Sequence, residues 1–112
     1  MYRSTTPVII IEIDNEEPEF NMDMINKCHL TIESLDGLHK IKYESPIIDR
    51  ENHQIRQMMT QSETKMFNVG KVKVQLKVRF TNGSIVPSEM MVSTINEILE
   101  EEEMWNGITY KT

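Results

Sequence analysis

The chain has 112 residues, 12 Lys and Arg against 18 Asp and Glu, a net charge of -6 and a single cysteine. That length supports one compact domain, the acidity argues against non-specific nucleic-acid binding, which needs a basic footprint, and the lone Cys28 excludes an internal disulfide and a cysteine-built metal site. No apolar run approaches the ~20 residues that span a bilayer, and Val8–Ile11 is too short for a secretory signal core, so the sequence reads as a protein made in the cytoplasm with no membrane partner.

In chain order, Val8–Ile13 is a continuous β-branched run, as in a strand buried on both sides. Asp14–Pro18 is acidic, and its proline opens a loop. Asn21–Asn26 is ambiguous, with a short helical turn as one reading. Cys28, Leu30 and Ile32 alternate with His29, Thr31 and Glu33, which predicts a second strand. Asp36-Gly37 marks a tight turn, and His39–Tyr43 returns as a third strand. Pro46–Asn52 reads as loop-like, with a short extended piece offered at Ile47-Ile48, and His53–Met59 as a fourth strand of weaker pattern.

Thr60-Gln61-Ser62-Glu63 fits a capping box, in which the Thr hydroxyl and the Glu carboxylate each satisfy one orphan amide. A single helical turn through Met66 or Phe67 would carry the chain from one sheet to the other. Val72, Val74, Leu76, Val78 and Phe80 then alternate without a miss against Lys71, Lys73, Gln75, Lys77 and Arg79. Asn82-Gly83 predicts a type I′ hairpin turn, followed by a last strand over Ile85–Ile95. Pro87 lacks an amide donor and must sit at an edge or a bulge. Asn96–Glu103 is acidic and favours helix, and the tail to Thr112, with Trp105, Ile108 and Tyr110, is either poorly ordered or packed on a neighbour. Most of the nine Met fall inside apolar patterns, as gap-fillers of a core.

These elements predict an all-β fold: a small antiparallel immunoglobulin-like β-sandwich with one short helical crossover turn and a C-terminal helical or irregular acidic segment. The domain is expected over residues 1–103, with 104–112 as its tail.

Nothing in the pattern points to catalysis. Cys28 and His29 are adjacent in a strand, so their side chains leave opposite faces and cannot cooperate. His29, His39 and His53 lie on separate predicted strands, and Asp14, Glu16, Glu17 and Glu19 lack the pattern of a calcium loop. The four glycines are scattered, so no phosphate cradle exists. No enzyme, metal or cofactor is expected. Two charge features remain: a basic stripe of Lys71, Lys73, Lys77 and Arg79, and an acidic run with Glu97, Glu100, Glu101, Glu102 and Glu103. They are either two solvated faces, the lysines guarding an edge strand, or a complementary pair through which one copy meets the next.

Three motifs carry a resemblance: Arg3-Ser4-Thr5-Thr6-Pro7 leading into a strand, Thr60-Gln61-Ser62-Glu63-Thr64-Lys65-Met66-Phe67, and Val74-Gln75-Leu76-Lys77-Val78-Arg79 before Asn82-Gly83. In order and spacing they resemble a group of small, largely uncharacterised β-sandwich proteins encoded by tailed phages and prophages of low-GC Gram-positive bacteria. The tail from Met104 to Thr112 extends past the pattern. The resemblance implies no catalytic residues. It implies a non-enzymatic structural protein of the virion tail, baseplate or head surface that acts by self-association or by docking on other phage structural proteins. Such a protein would be made in the host cytoplasm and carried in the virion once assembled. The candidate interaction surface is then Lys71, Lys73, Lys77 and Arg79 together with Glu100, Glu101, Glu102, Glu103 and Trp105. Two other classes stay open: a soluble module that masks or inhibits a host protein, and a cell-surface carbohydrate-binding module stacking sugars on Trp105.

Overall fold

The computed structural model describes residues 1–13 and 22–97. Eight strands and one helix follow one another: β1 Val8–Glu12, β2 Ile25–Ser34, β3 Lys40–Tyr43, β4 Ile47–Asp49, β5 Gln54–Met58, α1 Gln61–Met66, β6 Gly70–Phe80, β7 Ile85–Pro87 and β8 Met91–Ile95. One sheet runs β1-β5-β4. The other runs β3-β2-β6, and β7 and β8 share the remaining side of β6. All these pairs are antiparallel. Hairpins join neighbours within a sheet and the connections between hairpins change sheet. The order matches strands B-E-D facing C′-C-F-G of an immunoglobulin-like sandwich. Strand A is reduced to Tyr2, which bridges Asn96 in parallel beside β8.

The alternation in β6 has the cause the sequence implies. Its register with β2 sets Leu30 against Leu76, Ile32 against Val74 and Cys28 against Val78. All six are buried and meet Ile11 and Ile55 from the smaller sheet. Phe67, just after α1, is fully buried and stands edge-on to His39, with ring centroids 6.3 Å apart at 74°, the geometry aromatic quadrupoles favour.

Two staples tie the sheets at their ends. Arg50, in the turn between β4 and β5, donates to the carbonyls of Met22 and of Ile25, the latter at 2.7 Å. A 3-10 turn over Met22–Met24 places those carbonyls. On α1, Thr60 caps the helix in a complete capping box with Glu63. One turn on, the fully buried Thr64 hydroxyl donates to the Thr5 carbonyl at 2.8 Å and accepts from the Thr5 amide at 3.0 Å. Arg3 donates to the Lys65 carbonyl at 2.9 Å. The first two motifs of the sequence thus bind each other.

Three expectations are corrected and one is sharpened. Val8–Ile13 is not buried on both sides: β1 is an outer strand, with Val8 and Ile10 exposed. The short extended piece at Ile47-Ile48 is a strand that runs on to Asp49 and pairs with β5. The last strand is two, because Ser88 inserts between β7 and β8. Its hydroxyl takes the Leu76 amide at 2.9 Å, its own amide donates to the Leu76 carbonyl, and its carbonyl accepts from Gln75. Finally, the Asn82-Gly83 turn is not type I′. Only Gly83 has positive φ, and the Gly83 amide bonds the Phe80 carbonyl while Phe80 pairs with Ser84. This is a three-residue loop, a type I turn closed by a left-handed glycine. The Asn82 side chain accepts from both Ser84 groups and holds it.

Candidate interaction surface

Because the apolar residues of β6 point inward, its Lys and Arg residues stand on the outer face of the larger sheet. The register gathers more cations there than β6 alone carries. Lys27 lies opposite Arg79, His29 opposite Lys77, and Lys40 and Lys73 flank Glu33 on either side. With Lys42 on β3 and Lys71 opposite Thr94, seven of the chain's 12 Lys and Arg share this face. Within the strands, Glu33 is its single acid.

The cations are not equivalent. Lys73 meets Glu33 at 2.9 Å and Lys40 meets the same carboxylate at 3.9 Å. The hydrogen bond and charge of Lys73 hold the Glu33 carboxyl below its ordinary range, against a smaller opposing effect of desolvation. Lys42 reaches Glu44 at 3.4 Å. Arg79 Nε and one of its terminal nitrogens both donate to the side-chain oxygen Oδ1 of Asn26, at 3.2 and 2.8 Å. Lys27, Lys71 and Lys77 have no hydrogen-bond or ion-pair partner among the described residues.

Lys27, His29, Lys77 and Arg79 rim a shallow depression of about 190 Å³, floored by Cys28 and Val78 and walled by Ile85. Four nitrogen-bearing side chains and no carboxylate make it complementary to an anion, and its apolar wall suits an organic one. A second, smaller hollow of about 100 Å³ beside Glu33, Lys73 and Met90 carries mixed charge. Exposed Ile85, Met90 and Val92 border the same side, so the face is basic and apolar at once.

Of the sequence-predicted residues, Lys71, Lys73, Lys77 and Arg79 share this one face. Glu100, Glu101, Glu102, Glu103 and Trp105 lie outside the described residues, as does the acidic run from Asp14 to Glu19. Glu97 is exposed just beyond β8. Sequence reasoning missed Lys27, Lys40 and Lys42, whose signal was their outward parity in β2 and β3, and it missed Glu33 as the partner of Lys73. Cys28 is buried while His29 faces out. Burial pushes the Cys28 thiol up to about 11. Among the described residues no three His, Cys, Asp or Glu gather as metal ligands, and no helix is long and apolar enough to cross a membrane.

The third motif has structural employment too: Gln75 donates to Ser88 and Arg79 binds Asn26. No protein-family model and no curated protein matches the chain.

Proposed function

We propose that the protein is a non-enzymatic structural component of a phage or prophage particle, at the tail, baseplate or head surface, acting by self-association or by docking on a larger virion protein. The observation that carries this reading is the segregation of charge. A chain of net charge -6 places seven cations on one face of a stiff sheet, where an acidic surface of another subunit would be attracted and oriented. The run of four glutamates at Glu100–Glu103 in a neighbouring copy offers the opposite charge for such a contact. The motif resemblance adds the particle context, and the pairing of its first two motifs accounts for their occurring together in one fold.

Size-exclusion chromatography with light scattering, over a concentration series at low and high salt, tests the charged face. A defined multimer at low salt that dissociates above roughly 0.5 M is expected, since surface attraction is screened over a few ångströms there. Lys71→Glu with Lys77→Glu should abolish it. Mass spectrometry of purified particles tests the context, and absence of the chain from them would overturn it.

A further inference from the structure

We infer that the outer edge of β1 is a second contact, at which two copies of this chain join their smaller sheets across a two-fold axis. The inference stands on different residues from the basic face and extends the self-association reading to a named contact. The Met59 amide donates to the Pro7 carbonyl at 2.9 Å, and the Ile13 amide to the His53 carbonyl at 2.8 Å. Odd-numbered residues of β1 therefore turn their backbone groups toward β5. Val8, Ile10 and Glu12 direct theirs outward, and none has a protein partner among the described residues.

Among the described residues, every other sheet edge carries a guard of the kind that blocks strand addition. Lys40 and Lys42 stand on β3, and β7 is three residues long and ends in Pro87. The end of β8 is covered by Met1–Arg3, and β4 is three residues long and ends in Asp49. The stretch Val8–Ile11 has no lysine, no proline, no bulge and no covering segment among the described residues. Its outward side chains continue onto an apolar surface: Val8 and Ile10 are each 53% exposed, Met58 57% and Ile47 60%. This is the position where strand A pairs in an immunoglobulin-like sheet.

A second copy fits this edge by charge and by register. With Ile10 on the axis, β1 meets its own copy antiparallel, Ile10 against Ile10 and Val8 against Glu12, forming about six backbone hydrogen bonds. No like charges stand opposite each other. The one cation nearby, Arg56, is neutralised within its own chain by Asp49 at 3.4 Å. In this register each Glu12 faces Val8 of the other copy, so no two carboxylates of β1 stand opposite each other. The predicted assembly is a continuous six-stranded sheet, β4-β5-β1 followed by its two-fold copy.

Light scattering in high salt separates this contact from the charged face. The expected result is a species of twice 13.2 kDa that salt does not dissociate. It should become monomeric in Ile10→Lys and in Ile10→Pro. The proline removes an outward amide and no bond to β5, so far-UV circular dichroism and melting should report a folded chain. In wild type, the Ile10 amide should exchange at least ~10-fold more slowly at high than at low protein concentration. A strict monomer in high salt, or a dimer that survives both substitutions, would overturn the inference. Loss of the salt-sensitive multimer in Lys71→Glu/Lys77→Glu with the dimer intact would separate it from the charged face.

Discussion

Replacing Thr64 by valine removes one oxygen and keeps the shape of a fully buried side chain. That oxygen holds both backbone groups of Thr5, at 2.8 and 3.0 Å. Each bond contributes about 0.5–1.5 kcal/mol net, and each buried group left unpaired costs about 1–3 kcal/mol. Thr5 is only half-buried, which sets the loss at the lower end, about 2–3 kcal/mol. In a domain of this size that is roughly 10 °C in Tm. Thr64→Ser keeps the hydroxyl and loses one methyl, about 1 kcal/mol. Urea unfolding followed by far-UV circular dichroism, with an unchanged m-value, measures both. If Thr64→Val fell within about 0.5 kcal/mol of wild type, or no lower than Thr64→Ser, the clamp between the first two motifs would not hold the sheets together.

Stability should fall on acidification. Glu33 is held low by Lys73, Asp36 by the Ser34 hydroxyl and Leu38 amide, and Asp49 by Asn52, so the unfolded chain binds protons more readily. Their contribution is complete above about pH 5 and is lost as pH drops through their lowered folded values; an acid limb unchanged in a Glu33→Gln/Asp36→Asn/Asp49→Asn chain would contradict this. With its thiol near 11, Cys28 should label at pH 7.5 at least ~100-fold more slowly in the native protein than in urea; equal rates of reaction with an aromatic disulfide would refute its burial. Gly83→Ala should cost about 1–2 kcal/mol from backbone conformation alone, because φ is +90° and nothing lies within 4 Å of the added carbon; a neutral result in urea unfolding would mean the turn is not as described.

The larger sheet was legible because β6 keeps one face in the core and one in water, so its alternation records both. β1 misled for the converse reason: its outer face is apolar, and periodicity cannot distinguish an exposed apolar face from a buried one. β4 showed only as the short extended piece Ile47-Ile48, because Pro46 and its own brevity leave little pattern, and the division of β7 from β8 lay in Ser88, a polar residue with no strand signature. Asn82-Gly83 satisfies two turn types, and the chain uses the longer loop. For the interaction face, the cations of β6 could be read from sequence. Their pairing could not, because the meeting of Glu33 with Lys73 depends on a cross-strand register between segments 40 residues apart. The capping box was readable in full, while the clasp between Thr64 and Thr5 was not, since 59 residues separate them.

The parallel pairing of Met1–Arg3 with Thr94–Asn96 bears on how the domain would carry load. The Met1 ammonium donates to Thr94, the Asn96 amide to Met1 and the Arg3 amide to Asn96. The two segments run the same way, so tension applied at the first residues and beyond Glu97 slides one along the other. All three bonds then stretch together instead of opening in sequence, and the sandwich should resist pulling through its ends far better than pulling across the β6–β7 hairpin.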